Sequence, residues 1–184
     1  AADPTFPWAD YDTDGNGIID HVVVFHAGID KSDGGGQQRF QALWAHRGTV
    51  DPSDGGYTVT TSGPPIKLLG YTLQYENAGA GVLVHEFGHD LGHPDLYDTS
   101  GEAESSVVWW DLMSTGSHPG KIFSSNPTHM SAWTKTALGW ASPQVVAPTA
   151  VSREITLGQT SNPPPGSTQA VRVNLPDQII QYVE

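Results

Sequence analysis

Between Val82 and Asp98 the chain reads VLVHEFGHDLGHPDLYD, a run dense in imidazole and carboxylate side chains. At 3.6 residues per helical turn, His85 and His89 share one face a single turn apart, so both imidazoles can reach the same ion. Zinc suits neutral imidazole nitrogen and carboxylate oxygen, favours four ligands, and in catalytic sites leaves one position to water. Glu86, next to His85, is placed to act on that water rather than to bind the metal. A third protein ligand has to come from beyond the helix, and Gly92 permits the sharp return. Asp95 stands ten residues after His85, the last position of the HExxHxxGxxH spacing, with aspartate in place of histidine. Spacing therefore assigns Asp95 as the third ligand, with His93, one residue past the turn, and Asp98 as chemical alternatives. A closed structural zinc site, or a buried helix with hydrogen-bonded histidines, requires no glycine and acid at the extended spacing. Their presence favours catalysis.

A second constellation is DTDGNGIID, which sets oxygen donors at Asp12, Asp14, Asn16 and Asp20, with the Ile18 carbonyl between them and Gly17 permitting the turn. Hard oxygen donors at this spacing suit calcium, in the logic of an EF-hand loop but shorter. Asp10 offers an extra ligand or a register starting two residues earlier; a solvated acidic turn is the competing explanation. The expected role is stability, by fixing the entry to the following strand. His26, His46, His118 and His129 are scattered and none is assigned to zinc. His118 and Tyr97 are candidates to face the substrate oxyanion. Met113, in WWDLMSTG, lies in a turn of small and polar residues, where an extended-motif zinc peptidase places a methionine turn beneath its metal.

These residues need elements to hold them. NAGAGVLVHEFGHDL reads as a buried helix ended by Gly92 in a left-handed cap. NPTHMSAWTKTALGW reads as a second helix, with Asn126 as cap, Pro127 at the first helical position and Gly139 past the end. His21–Phe25 reads as a buried strand, and YTVTTS, LLGYTLQY, SREITLG, AVRVNL and QIIQYVE as further strands. The irregular stretch from Thr99 to Ser125 is too long for an ordinary connection and is expected to form a functional wall. At 184 residues the chain accommodates one catalytic-sized domain, read as 1–145, with a β-rich C-terminal segment at 146–184. The expectation is an α+β fold: a twisted mixed sheet on the active-site helix, then the β-rich piece.

Twenty acidic residues against eight lysines and arginines give a formal charge of -12, which opposes binding to phosphate backbones or anionic lipid. Neither nucleic acid nor membrane is expected as a partner. Without cysteine, disulfides and thiolate ligands are excluded, and any zinc has to use imidazole and carboxylate. No apolar run approaches a membrane span of about 20 residues. The chain ends inside an apparent strand and is read as a fragment or processed core of a larger protein.

DYDTDGNGIIDHVVVFHAG, WAHRG, HEFGHDLGHPDLYD, WWDLMSTGSH and PTHMSAWTKTALGW together resemble the immune inhibitor A family of secreted bacterial metallopeptidases, family M6, within the metzincin-like zincins. The resemblance implies an extracellular, zinc-dependent, calcium-stabilised endopeptidase acting on protein or peptide substrates, expected to be a monomer. It places His85, Glu86 and His89 in the zinc helix and Asp95 at the acidic position. Two departures stand out. His93 occupies a position where the family pattern suggests an aliphatic residue, and no amphipathic helix precedes Asn77, although zincins of this kind usually carry one before the sheet. The alternatives are a calcium-dependent binding module, which leaves Glu86 without purpose, and a zinc-binding but inactive fragment.

Overall fold

The computed structural model describes residues 3, 5–34, 42–51, 53, 55–59, 63–101, 107–148, 152–175 and 180–183. They form a mixed α/β architecture with few helices: β1 (Val23–His26), β2 (His46–Thr49), β3 (Tyr57–Val59), β4 (Ile66–Leu68), β5 (Gly70–Tyr75), α1 (Ala80–Asp90), α2 (Ala132–Ala137), β6 (Gln144–Val146), β7 (Val171–Asn174) and β8 (Ile180–Val183). Among the described residues no helix is long and apolar enough to cross a membrane. The chain divides into two compact units, Ala1–Gly92 with His118–Asn126, and His93–Ser117 with Pro127–Glu184.

In the first unit β5 is the centre of a mixed three-stranded sheet, parallel to β1 and antiparallel to β2. β3 and β4 form a separate antiparallel pair. The stretch LLGYTLQY, expected as one strand, is thus shared: Leu68 closes β4 and Gly70 opens β5. YTVTTS yields β3 over its first half; residues 60–62 lie outside the described residues. The strand expected as buried over His21–Phe25 begins at Val23 instead, and Val24 and Phe25 are exposed. Among the described residues β1 sits at a sheet edge, with a neighbouring strand on one flank only. One apolar cluster gathers Ile19, Val59 and Ile66 beside the acidic loop, and another packs Val82 of α1 on Tyr75 and Ala45.

α1 is a poor helix former by composition. Its sequence AGVLVHEFGHD has two glycines, each worth about 1 kcal/mol against alanine, and two β-branched valines. Tertiary packing has to supply what propensity does not. Val82, His85 and Glu86 are buried, and the buried Gly81 and Gly88 add no side-chain bulk. Its N-cap, Gly79, has no side chain to offer. Ser124 serves instead: its carbonyl accepts from Gly81 N–H at 2.8 Å and its Oγ from Val82 N–H at 2.5 Å, while the Phe123 carbonyl accepts from Gly79 N–H. A Cβ on Gly79 would meet the Ser124 carbonyl carbon at 2.2 Å, so only glycine lets the two segments touch. At the other end Gly92 takes φ 91°, the left-handed turn expected there.

In the second unit, α2 begins later than NPTHMS suggests. Residues 127–130 are not helical; the Gly116 carbonyl accepts from both Thr128 N–H and Thr128 Oγ1, and the cap is Ser131, whose Oγ accepts from Thr134 N–H. Gly139 does close the helix, at φ 72°. AVRVNL and QIIQYVE supply β7 and β8, which pair antiparallel, with β6 parallel to β7 on its other side. SREITLG, expected as a strand, belongs to none. Gly158 N–H reaches the Thr168 carbonyl, but the returning segment carries Pro163, Pro164 and Pro165, which have no N–H for a ladder.

Candidate metal centre

The helical face computed from spacing is realised in α1: the His85 and His89 rings lie edge to face with centroids 5.0 Å apart. His85, His89 and Asp95 each offer one ligand atom, and these atoms lie within 4.8 Å of one another. Two imidazoles and a carboxylate converging this closely fit a zinc site with one position left for water. Glu86, one residue from His85, is buried with Oε2 4.0 Å from His89 Nε2. It therefore stands beside the ligand group.

The last turn of α1 is fastened to the sheet by contacts that local spacing does not announce. Asp90 Oδ1 accepts from Arg47 Nε of β2 at 2.8 Å, and Asp90 Oδ2 pairs with His21 Nδ1 just ahead of β1. The His21 ring also meets Phe87 edge-on. Charge-assisted hydrogen bonds of this kind are stronger than neutral ones, and here they fix the residue adjacent to His89. Asp90, Arg47, His21 and Ser124 were invisible to motif reading because their partners lie tens of residues away.

His118, the oxyanion candidate, lies in the same unit as His85 and packs on Phe123 with centroids 4.9 Å apart. Burial first, and then the neighbouring His85, hold its pKa below the usual 6.5. Both effects favour its uncharged form. His26 and His46 have structural partners: His26 lies 3.3 Å from the buried Asp30, and His46 contacts the Tyr71 hydroxyl and the Trp44 carbonyl. His93, the rival ligand, is buried in the second unit with its ring 6.0 Å from that of Trp133. Tyr97 and Asp98 are half-buried, and the Asp98 carboxylate accepts from Ser100 N–H and Oγ.

Met113 has no exposure and packs with Leu112 and Met130, flanked by Leu96 and Leu138. Its carbonyl accepts from Leu96 N–H at 2.7 Å, gripping the residue next to Asp95.

In the acidic loop, one carboxylate oxygen from each of Asp12, Asp14 and Asp20 lies within 4.8 Å of the others. Backbone donors already shape it: Asp12 accepts from Asn16 N–H and Gly17 N–H, and Asn16 Oδ1 accepts from Ile18 N–H. Gly15 and Gly17 both take positive φ, the first a requirement the spacing did not single out. Asp20 accepts from the Thr13 hydroxyl and N–H, which hold its carboxyl below the usual range. Ile18 bridges to Lys67, tying the loop to β4. Asp10 belongs to the short 3-10 turn Trp8–Tyr11, and no group places it with the three aspartates.

Residues 7–141 match the catalytic domain of the immune inhibitor A peptidase family, M6. The pre-pro-metalloprotease PrtV of Vibrio cholerae serotype O1, in two strains, is 41% identical over 159 residues, covering 73% of this chain and 17% of that protein. Immune inhibitor A of Bacillus thuringiensis subsp. alesti is 35% identical over 202 residues, covering 97% of this chain and 29% of that protein. The chain thus spans less than a third of the length of the curated relatives it matches. Its sequence over the ligand helix and the acidic loop falls wholly inside the matched stretch, and the chain belongs to the immune inhibitor A peptidase family, M6.

Proposed function

We propose that the chain is the catalytic portion of a secreted zinc metalloendopeptidase that hydrolyses internal peptide bonds of extracellular proteins. The observation that carries this reading is the convergence of His85, His89 and Asp95, with Glu86 buried beside them. Zinc, when bound, supplies a Lewis acid for the scissile carbonyl and lowers the pKa of coordinated water toward about 7. Glu86 accepts a proton from the attacking water and returns it to the departing amine. His118, whose uncharged form is favoured by burial, donates to the developing carbonyl oxyanion, a role shared with Tyr97.

The substrate main chain lies extended along β2, an edge strand among the described residues, and pairs with it through backbone groups. The fold reading that goes with this is zincin-like, α1 carrying His85 and His89 under a twisted mixed sheet. Calcium in the loop of Asp12, Asp14, Asn16, Ile18 and Asp20 serves stability: the loop feeds β1 and is tied to β4, and takes no part in the chemistry.

Casein hydrolysis with zinc and calcium present, run beside Glu86→Gln at equal zinc content, tests this reading. The expected outcome is turnover by the first and a loss of about 100- to 10,000-fold in the second. Equal activity would remove Glu86 from the mechanism. Inertness of both with zinc bound would make the centre structural.

A further inference from the structure

Asp111 has no solvent exposure and serves three donors from separate parts of its unit. Its Oδ1 accepts from Met113 N–H at 2.7 Å; its Oδ2 accepts from Ser131 N–H at 2.9 Å and from the Thr134 hydroxyl at 2.6 Å. Its carbonyl accepts from Ser114 N–H, and a Cβ on Gly116 would meet that carbonyl oxygen at 2.3 Å, so the turn closes tightly around it. A carboxylate can accept at all these places because it has only acceptor sites. An amide of the same shape would direct N–H groups at one of the donors. The same Met113 whose N–H is held by Asp111 uses its carbonyl to hold Leu96 N–H, and Leu96 follows Asp95. A continuous path of hydrogen bonds and one peptide link therefore runs from the start of α2, through Asp111 and Met113, to the assigned third ligand.

We infer that Asp111 is a positioning residue for the metal centre: it fixes Met113 so that the Met113 carbonyl sets the backbone at Leu96 and, through it, the carboxylate of Asp95. This rests on the zinc reading above. Outer partners that orient a ligand commonly change metal affinity by about 10- to 100-fold when lost. Asp111 would do so without touching the ligand itself. Thr134 offers the contrasting case, since its hydroxyl bonds the Asp111 oxygen that faces α2 and not the one that holds Met113.

Zinc affinity by competition with a chromophoric chelator, and the visible spectrum of the cobalt-substituted protein, are measured for the unmutated chain, Asp111→Asn and Thr134→Val, with melting temperature as the structural reference. Asp111→Asn is expected to weaken zinc by about 10- to 100-fold and to alter the cobalt bands. Thr134→Val is expected to lower the melting temperature while leaving both metal readouts in place. Unchanged affinity and cobalt bands in Asp111→Asn would overturn the inference, as would an equal loss of affinity in Thr134→Val, which would mark the effect as general destabilisation. Failure of the unmutated chain to bind zinc would remove the zinc reading and the inference with it. Should Asp111→Asn not fold, amide exchange in the unmutated chain decides: zinc loading should slow exchange at both Leu96 and Met113, by reciprocity of coupling, and a Met113 amide indifferent to zinc would overturn the inference.

Discussion

The two candidate ligand clusters are built on opposite plans. The acidic loop is exposed and arranges its oxygens from within, through hydrogen bonds between residues two to seven positions apart and glycines at positive φ. The helix cluster is buried at His85 and half-buried at His89 and Asp95, and is arranged from without: Ser124 caps the start of α1, Arg47 and His21 grip its end through Asp90, and Met113 holds the residue beside Asp95. A loop that shapes itself can adapt to a hard cation with many oxygen ligands. A catalytic centre needs ligands whose positions do not adjust during the reaction, and fixed surroundings provide that. The contrast also separates their expected roles, since loss of one metal should remove chemistry and loss of the other should remove stability.

The sharpest break of this contrast is Asp95→Ala. Removing a ligand should weaken zinc by more than the roughly 10- to 100-fold typical of an outer partner, as read by chelator competition. A change smaller than that would favour His93 or Asp98 as the third ligand. Calcium withdrawal at constant zinc comes next. A metal held at about 100 times its dissociation constant contributes about 2.7 kcal/mol. At about 2–4 °C per kcal/mol for a chain of this size, calorimetry should show the melting temperature fall by several degrees. Turnover per zinc-loaded folded molecule should hold; if it fell with calcium at a temperature well below melting, the loop would belong to the active centre.

Smaller effects probe the seat of α1. Ser124→Ala removes the acceptor for Val82 N–H and keeps the φ of 67° that serine already adopts, so denaturant unfolding should show a loss of about 1 kcal/mol, as for other lost caps. No loss would mean that the external cap contributes little. Under α1, Tyr75 is 1% exposed, and burial, with Asp33 and Asp30 nearby, pushes its phenol up to about 12. Because the folded pKa lies above the ordinary 10, the folded chain keeps a proton that the unfolded chain releases. Stability from this group is full below pH 10 and falls as pH rises toward 12. Its hydroxyl has no hydrogen-bond partner among the described residues, so Tyr75→Phe should flatten that alkaline fall in melting temperature without a loss at neutral pH. A steeper fall would show that the hydroxyl is needed.

Motif spacing made the two groupings of side chains legible because each rests on local geometry. His85 and His89 need only the helical repeat; Asp12, Asp14 and Asp20 need only a tight loop. The left-handed turns at Gly92 and Gly139 were legible for the same reason. What was not legible depends on contacts distant in sequence. Asn126 and Pro127 carry a good local helix start, yet the Gly116 carbonyl takes up Thr128 N–H and Oγ1 and Asp111 receives the chain at Ser131, so the helix waits. The strand at His21–Phe25 has the pattern of a buried one, but its place at the edge of the sheet was set by pairing with β5. Ser124 and Asp90 carry no motif at all; their roles arise from where Gly79 and Arg47 arrive.

The most direct measurement is a crystal structure of the zinc-loaded protein, with anomalous differences collected on both sides of the zinc edge. The expected result is a single strong zinc peak within coordination distance of His85, His89 and Asp95, with the Glu86 carboxylate on its open side and no zinc in the loop of Asp12, Asp14 and Asp20. A peak ligated by His93 in place of Asp95, or no peak on α1, would contradict the proposed centre.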